Sequence, residues 1–326
     1  QTLKEIEVVC IDDGSTDRSW EILAEYAKAD ARILPIRQEN QGVSTARNNG
    51  IKKASGKYLI FMDPDDWYPE KDILEVLFEK AENSGCQICG GEFSEYNDRT
   101  GEVRTEFPEQ YFGYVFQKEG VIEYRDWQFD FGYHRFLYNR EFILEHQLYF
   151  PKLIRFQDPP FFVKAMITAE KFYAVKKVVY RYRYGHRDLK WTREKRIALL
   201  KGIYMDMDMA VRNHLERLVD LTWFRMTEEF GEIICCGIIE GETEIEEWIR
   251  RVYDCLEIDR KEKYGYPFYR RFRDEVILLK EKQRKEDERL ENEIKAIKNS
   301  ITFRVGKYLL YIPRCIKLAL WSRKKS

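Results

Sequence analysis

Three aspartates, Asp63, Asp65 and Asp66, follow an apolar run in the stretch "YLIFMDPDDW". Carboxylates this close repel one another unless a cation neutralises them, and oxygen ligands suit Mg²⁺ or Mn²⁺. Such ions often take one or two protein carboxylates and complete their shell with substrate phosphates and water. An Asp-x-Asp pair at a strand end therefore predicts a site for a metal and a diphosphate. The alternative is a solvated turn, because Asp and Pro are also common turn residues.

A second acidic cluster, Asp12-Asp13-Gly14-Ser15, also follows an apolar run, Ile6 to Ile11. A carboxylate at that position can accept hydrogen bonds from a nucleobase imide or a ribose hydroxyl, and Gly14 permits close backbone approach. The first strand is not followed by GxGxxG, which disfavours NAD and FAD. The sequence also lacks the GxxxxGK[ST] motif of a P-loop.

The segments that carry these clusters alternate between strand and helix patterns. After the first strand, strand patterns recur at "RILPIRQ", "KYLIFMD" and "CQICGGEF", and helix patterns separate them. This β-α-β-α-β-α-β order predicts a doubly wound α/β sheet. In such sheets ligands bind beyond the C-terminal ends of the strands, which is where both acidic clusters fall.

The remaining chain is less regular and then helical. Residues 93–190 are rich in aromatic residues, which either line a substrate cleft or form a β-rich core. Residues 191–299 carry apolar stripes with helical spacing. Near their end, four apolar residues follow a 4-3-4 spacing that favours pairing with another helix: Leu290, Ile294, Ile297 and Ile301.

The composition excludes some classes of protein. The 56 Lys and Arg residues nearly cancel the 57 Asp and Glu residues, so a generally nucleic-acid-binding surface is disfavoured. Seven cysteines, an odd number, lie mostly in apolar contexts, which indicates reduced thiols in a cytoplasmic protein. The sequence contains no apolar run long enough to span a membrane.

Three stretches in order, "EIEVVCIDDGSTDRSWEIL", "QENQGVSTARNNGIKKASGKYLIFMDPDDW" and "RFQDPPFFVKAM", resemble family 2 glycosyltransferases of the bacterial surface-polysaccharide type. The resemblance implies the GT-A fold, a Rossmann-like α/β fold with a mixed sheet flanked by helices and a mainly α-helical C-terminal extension. It divides the chain into a nucleotide-sugar-binding half, an acceptor-side half, a helical extension and a basic amphipathic tail: residues 1–92, 93–190, 191–299 and 300–326.

The resemblance implies a set of nucleotide-sugar-binding residues. Asp13, with Asp12 beside it, would contact the uracil or ribose of the donor. Arg47 in "ARNNG" would hold the nucleotide, and Asn48 would support that loop. Arg183 lies in "YRYRYGH", a segment that often returns toward the phosphates in the family.

The resemblance also assigns the Asp-x-Asp motif. Asp65 would bind Mn²⁺ or Mg²⁺ at the donor diphosphate, with Asp63 as a second metal ligand. Asp63 or Asp66 would contact the ribose or metal-bound water. The enzyme class implied is a metal-dependent, hexosyltransferase-like glycosyltransferase.

Asp158, in "QDPPFF", is implied to be the catalytic base. An inverting transferase needs a base near the acceptor hydroxyl to take its proton as the sugar C1 is attacked. It also needs a cation that stabilises the departing diphosphate. The alternative role for Asp158 is to cap the helix that begins at Pro-Pro, and the two roles are compatible.

The sequence departs from the family pattern at three points. It begins at "QT", so the resemblance implies that a first, central strand and part of the nucleotide pocket are missing. Gln157 stands where the family usually has Glu, and Pro64 where a small residue is more usual. The missing strand and Gln157 favour an alternative function, a catalytically impaired GT-A-like domain that serves as a membrane-associated assembly partner. The retained aspartates favour an active enzyme.

The tail, residues 300–326, mixes apolar residues with Lys and Arg and contains no acidic residue. This pattern favours a basic amphipathic segment on the inner face of the cytoplasmic membrane, and the alternative is a helix docked on the protein's own core. The sequence thus predicts a peripheral membrane enzyme of cell-surface polysaccharide synthesis. It would use a UDP-linked donor, act on a glycan or lipid-linked acceptor, and dimerise through its helical extension.

Overall fold

The computed structural model describes residues 1–107, 113–186, 189–264 and 268–299. The chain forms two compact units, residues 1–263 and residues 264–326, and the residues of the candidate site belong to the first. The predicted basic tail lies outside the described residues. The finer subdivision of the chain at residues 92, 190 and 299 stays a prediction.

The N-terminal part pairs two parallel strands. In chain order it consists of β1 (Val8–Asp13), α1 (Ser19–Ala29), β2 (Ile33–Gln38) and α2 (Val43–Lys53). Within the described part of the chain, β1 pairs only with β2, and Val8 is 42% exposed. The apolar run thus forms a parallel strand, and the strand is not fully buried.

The main sheet of the described residues has six strands. They are β3 (Tyr58–Leu59), β4 (Ile88–Asn97), β5 (Val103–Arg104), β6 (Gly120–Glu123), β7 (Phe136–Asn139) and β8 (Lys171–Tyr184). The order is β3-β7-β4-β8-β6, with β5 paired to β4. Only β4 and β8 are parallel within this sheet. The mixed sheet flanked by helices is therefore confirmed, whereas a simple parallel, doubly wound sheet is not what forms.

The strand predicted over "KYLIFMD" is much shorter than expected. Only Tyr58 and Leu59 pair with another strand, antiparallel to the end of β7. The apolar residues beyond them pack instead of pairing. Phe61 contacts four aromatic rings, those of Tyr133, Tyr138, Phe150 and Phe161. Burial of the ring therefore fixes the path of the chain into the acidic loop.

The aromatic residues that follow β5 are mainly core, as one of the two interpretations of the sequence predicted. The buried ones include Phe116, Trp127, Phe129, Phe131, Tyr133 and Tyr138. Arg135 lies against the rings of Tyr114, Phe116, Trp127 and Phe136, and it donates hydrogen bonds to the carbonyls of Gly91, Gly113 and Tyr114. Because the guanidinium is fully buried, the pKa of Arg135 is lowered to about 9.

The remaining elements are helical and include the extension predicted for the C-terminal part. They are α3 (Ile73–Ser84), α4 (Tyr124–Trp127), α5 (Arg140–Glu145), α6 (Asp158–Ala169), α7 (Arg193–Arg212), α8 (Glu216–Phe224), α9 (Gly231–Ile239), α10 (Thr243–Asp254), α11 (Ile258–Tyr264) and α12 (Phe268–Asn299). α7 packs against α6, the helix that begins at the candidate base. Of the helices described, none is both long and apolar enough to cross a membrane.

Candidate active site

The acidic loop after β3 is tied to strand β8. Asp66 accepts hydrogen bonds from the Tyr180 hydroxyl at 2.6 Å and from the Arg183 backbone N–H at 2.8 Å. Trp67 and Arg181 exchange two backbone hydrogen bonds. Burial raises the pKa of Asp66 to about 6. The contacts of Asp66 are thus those of a residue that positions the loop, while its predicted role in ligand binding stays a prediction.

Asp65 is paired with a histidine that the sequence interpretation did not single out. Its Oδ2 lies 3.0 Å from Nε2 of His186, just beyond the end of β8. Both side chains are partly exposed, and the other ring nitrogen, Nδ1, is buried without a partner among the described residues. Gly185, at φ +84°, makes the turn that brings His186 to this position.

The Asp65–His186 pair fits a divalent metal as a partial ligand set. In the part of the chain that the structure describes, no group of three or more His, Cys, Asp or Glu side chains is arranged to hold a metal ion. Mg²⁺ and Mn²⁺ commonly take few protein ligands and complete their coordination with phosphate oxygens and water. The partly exposed carboxylate of Asp65 suits either ion, whereas the imidazole nitrogen of His186 suits Mn²⁺ better than Mg²⁺, which prefers oxygen ligands.

Arg47 contacts the acidic loop and packs against two aromatic rings. Its Nη2 donates to Asp63 Oδ1 at 2.6 Å, and its guanidinium carbon lies 4.9 Å from the ring centre of Tyr133 and 5.3 Å from that of Phe150. Burial disfavours the charge of Arg47, but Tyr133, Asp63 and Asp158 outweigh it and hold the pKa of Arg47 above its usual value. Its Nη1 is buried and has no partner among the described residues, so one edge of the guanidinium stays available.

Asp158 is the first residue of α6, and Gln157 occupies the N-cap position. Because Asp158 is not the N-cap residue and the helix has no side-chain cap hydrogen bond, the cap-only interpretation of Asp158 has no support. Among the described residues, no donor hydrogen-bonds its partly exposed carboxylate. Its negative charge helps to raise the pKa of Arg47 and of Tyr133, the two residues that also interact with Asp63.

The first acidic cluster organises the loop that leads into α2. Asp13 accepts three hydrogen bonds, from the Gln38 side chain at 2.7 Å and from the backbone N–H groups of Gln41 and Gly42 at 2.9 and 2.8 Å. The buried Asp12 lies 3.1 Å from Nε of Arg37. Asp13 therefore fixes the segment between β2 and α2, Asp12 contacts β2 and the Ser15 backbone N–H of its own loop, and the predicted contact of both with a nucleotide stays a prediction.

Asn48 and Arg183 make contacts within the protein. The Asn48 side chain makes two hydrogen bonds, each of 2.9 Å, with the backbone of Phe150, in the segment that leads to Asp158. The guanidinium of Arg183 pairs with Asp98 at 2.6 Å. Asn48 thus links α2 to a neighbouring loop and Arg183 is directed at a carboxylate, while the predicted nucleotide-sugar contacts of both stay predictions.

The site joins chain segments that are far apart in sequence. Tyr133 donates to Asp63, Tyr180 donates to Asp66, and His186 meets Asp65. None of these three partners was predicted. The "GH" that ends "YRYRYGH" was the available signal for His186, because a glycine after a strand allows the chain to turn back toward the sheet edge.

Comparisons with known proteins agree with this geometry. Residues 1–146 match the family model described as Glycosyl transferase family 2. The glycosyltransferase EpsJ of Bacillus subtilis is 39% identical over 190 residues, which cover 56% of this chain and 54% of that protein. The glycosyltransferase GlyA of Streptococcus pneumoniae is 46% identical over 101 residues, 31% of this chain and 14% of that protein. The chain spans about half the length of EpsJ and of EpsH, another glycosyltransferase of B. subtilis that it matches.

The fold also matches a solved structure. The crystal structure of S. aureus TarS 1-349 superposes with a TM-score of 0.60, covering 77% of this chain and 71% of that chain. The two sequences are only 15% identical, so this likeness concerns the fold alone.

Proposed function

From the match of residues 1–146 to the glycosyltransferase family 2 model, we propose that this chain belongs to that family and transfers a sugar from a UDP-linked donor to an acceptor in cell-surface polysaccharide synthesis. The acceptor would be a glycan or a lipid-linked glycan. The observation that carries the proposal is the convergence of Asp65, His186, Arg47 and Asp158 on one edge of the mixed sheet.

The reaction we propose is an inverting transfer with Asp158 as the base. The acceptor hydroxyl oxygen attacks C1 of the donor sugar from the side opposite the diphosphate. As the new C–O bond forms, the bond between C1 and the phosphate oxygen breaks, UDP departs, and the hydroxyl proton passes to the carboxylate. Support for this role comes from the partly exposed carboxylate of Asp158, for which the described residues offer no hydrogen-bond donor.

Asp65 and His186 would hold Mn²⁺ or Mg²⁺, as the donor set described above allows. Such an ion supplies positive charge that stabilises a departing diphosphate. Asp63, fixed by Arg47, is placed to orient the ribose or a water of that ion, and the free edge of Arg47 can donate to the nucleotide.

The residues around this centre would shape the nucleotide pocket. Asp12 holds the loop after β1, Asp13 holds the loop before α2, and Asn48 holds the segment at Phe150. Asp66 fixes the acidic loop on β8, where the backbone N–H of Arg183 meets it. We therefore assign these residues mainly to positioning the pocket wall around the uracil and ribose.

Metal-dependent binding of UDP tests this proposal directly. Calorimetry of the protein with UDP should show binding that requires Mn²⁺ or Mg²⁺, and Asp65→Ala should weaken it by at least tenfold, because the substitution removes the charged metal ligand. The exposed Asp126→Ala serves as the matched control and should bind UDP as the parent does. If the parent shows no metal-dependent binding, the transferase proposal fails and a non-catalytic assembly partner becomes the better interpretation.

Two interactions of the C-terminal part complete the proposal. The basic tail would lie on the inner face of the cytoplasmic membrane. Helix α12 would pair with α12 of a second copy, because its apolar residues Leu290 and Ile294 are 45% and 50% exposed. A form ending at Asn299 should no longer co-sediment with anionic liposomes, and it should still sediment as a dimer in sedimentation velocity. Unchanged vesicle binding would refute the membrane role, and a monomeric parent would refute the pairing.

A further inference from the structure

Two exposed rings and one cation lie beside the proposed centre. We call this set, Tyr182, Arg155 and Trp191, the acceptor strip. Arg155 precedes Asp158 by three residues, and its guanidinium carbon lies 5.5 Å from the ring centre of Trp191. Arg155 is exposed, Trp191 is half-buried and Tyr182 is 39% exposed, so a ligand can reach all three.

The strip reaches toward the acidic loop. Burial raises the pKa of Tyr182, Asp66 raises it further, and the positive charge of Arg155 opposes both. Asp65 and Asp63 also act on Tyr182. Tyr182 lies between Arg181 and Arg183, whose backbone groups hydrogen-bond Trp67 and Asp66, so this end of the strip borders the acidic loop.

Arg155 differs from three arginines at or near the site, Arg47, Arg183 and Arg37, in having no acidic partner among the described residues. Arg47 pairs with Asp63, Arg183 with Asp98 and Arg37 with Asp12. Among the described residues, no carboxylate forms an ion pair with Arg155.

Two neighbouring rings, Phe156 and Phe230, back the part of the strip formed by Arg155 and Trp191. Phe156, only 5% exposed and at φ +59°, packs 5.8 Å from Phe230 and lies 4.6 Å from the guanidinium of Arg225. Trp191 packs on the edge of the same Phe230, with ring centres 6.1 Å apart. Gly202 on α7 allows this approach, because a Cβ there would lie 2.5 Å from the Phe156 carbonyl oxygen. A rigid backing of this kind reduces the entropy lost when a ligand binds.

The chemistry of the strip indicates the class of its ligand. A guanidinium without an acidic partner binds phosphate or carboxylate with paired hydrogen bonds, and an indole beside it offers a flat, amphipathic face for a pyranose ring. Because the donor diphosphate is assigned to Asp65 and His186, the anion here belongs to the other substrate. We propose that the acceptor strip binds a sugar carrying an acidic group, either a phosphate or a uronate, as the acceptor of the reaction; this rests on the proposed function above.

Saturation-transfer NMR with three probes tests the proposal. Protein with UDP and Mg²⁺ would be titrated separately with glucose 6-phosphate, glucuronate and glucose. We expect the two acidic sugars to bind roughly 10- to 100-fold more tightly than glucose, the range that a charge-assisted hydrogen bond provides. A stronger response to glucose 6-phosphate would identify a phosphate, and a stronger response to glucuronate a uronate, as the recognised group.

Three variants locate the binding on the strip. Arg155→Ala should abolish the preference for acidic sugars, Arg155→Lys should restore part of it, and Trp191→Ala should weaken all three probes. The neighbouring exposed Lys152→Ala is the matched control and should change nothing. Equal binding of the three probes, or an unchanged preference in Arg155→Ala, would overturn the proposal.

The affinity for UDP separates this inference from the function on which it rests. UDP binding with Mg²⁺ should stay within twofold of the parent in Arg155→Ala. A large loss there would overturn the acceptor assignment and give Arg155 to the donor diphosphate. If the parent itself fails to bind UDP with metal, the proposed function fails, and probe binding then reports an acidic-sugar site without a transferase role.

Discussion

Asp158→Asn should slow sugar transfer by roughly 10²- to 10⁴-fold, the contribution typical of a positioned general base. This range corresponds to about 2.7–5.5 kcal/mol of transition-state stabilisation. The amide keeps the size and polarity of the carboxylate but cannot accept the acceptor proton. Because Asp158 neither caps α6 nor hydrogen-bonds another described residue, the substitution should leave the fold intact.

The measurement needs no knowledge of the natural acceptor. Release of UDP from a panel of UDP-sugars with Mn²⁺, with water or an added sugar as the acceptor, reports the transfer step. Calorimetry with UDP should give an affinity within about twofold of the parent. Asp126→Asn, an exposed aspartate on α4, is the matched control for charge removal.

Two results would contradict the role of Asp158. Transfer within threefold of the parent would show that another group takes the proton. Loss of UDP binding together with transfer would mean that Asp158 acts on the nucleotide side, through its electrostatic contact with Arg47.

The sequence predicted the parts of the site that lie at ends of local elements. Asp13 ends a strand and Asp65 follows the apolar run of β3, so local pattern and the rule for ligand edges pointed to both, whereas Asp158, which opens a helix, was assigned through the family resemblance; the roles of all three stay predictions. The mixed sheet was predicted through the family resemblance, because local alternation alone favoured parallel pairing throughout. The antiparallel partner of β3 comes from residues 136–139, and no local signal reveals it.

The residues that sequence reasoning missed depend on contacts over long separations. His186 meets Asp65 across 121 positions, and Tyr180 meets Asp66 across 114. Both contacts require the path of β8 beside β4 and the bridge between Trp67 and Arg181. The same contacts explain why Asp66, one of three neighbouring aspartates in the sequence, is directed into the protein whereas Asp65 reaches the sheet edge.

A second large effect concerns stability, at a buried ion pair behind the candidate base. The guanidinium of Arg225, which follows α8, donates to Asp130 at 2.7 Å and to Glu229 at 3.0 Å. The Asp130 side chain is 0% exposed, and burial raises its pKa while Arg225 lowers it. Asp206 on α7 is also fully buried, and burial raises its pKa well above the usual value. The positive charge of Arg225 therefore offsets the cost of burying the carboxyl groups of Asp130 and Asp206.

Arg225→Met should reduce the free energy of unfolding by about 3–5 kcal/mol at neutral pH, because it leaves Asp130 buried without its partner. The double variant Arg225→Met/Asp130→Asn should recover much of this loss, since an amide carries no charge to compensate. Urea unfolding of both variants and the parent measures the effect. Arg212→Met removes an exposed ion pair with Asp208 and, as the control, should cost less than about 1 kcal/mol.

The pH dependence distinguishes an unpaired charge from simple loss of packing. Without Arg225 the folded-state pKa of Asp130 rises further above its unfolded value, so the folded protein holds a proton that the unfolded chain releases. The stabilisation of the fold by this proton is complete at pH values below the pKa of Asp130 in the unfolded chain. It is lost as the pH rises toward and through the pKa of Asp130 in the folded protein. The destabilisation of Arg225→Met should therefore be smaller at pH 5 than at pH 8, whereas a packing defect would be nearly independent of pH.

Arg225 also contacts the ring of Phe156, two residues before Asp158. If Arg225→Met lowers stability without changing the transfer rate, α6 alone positions the base.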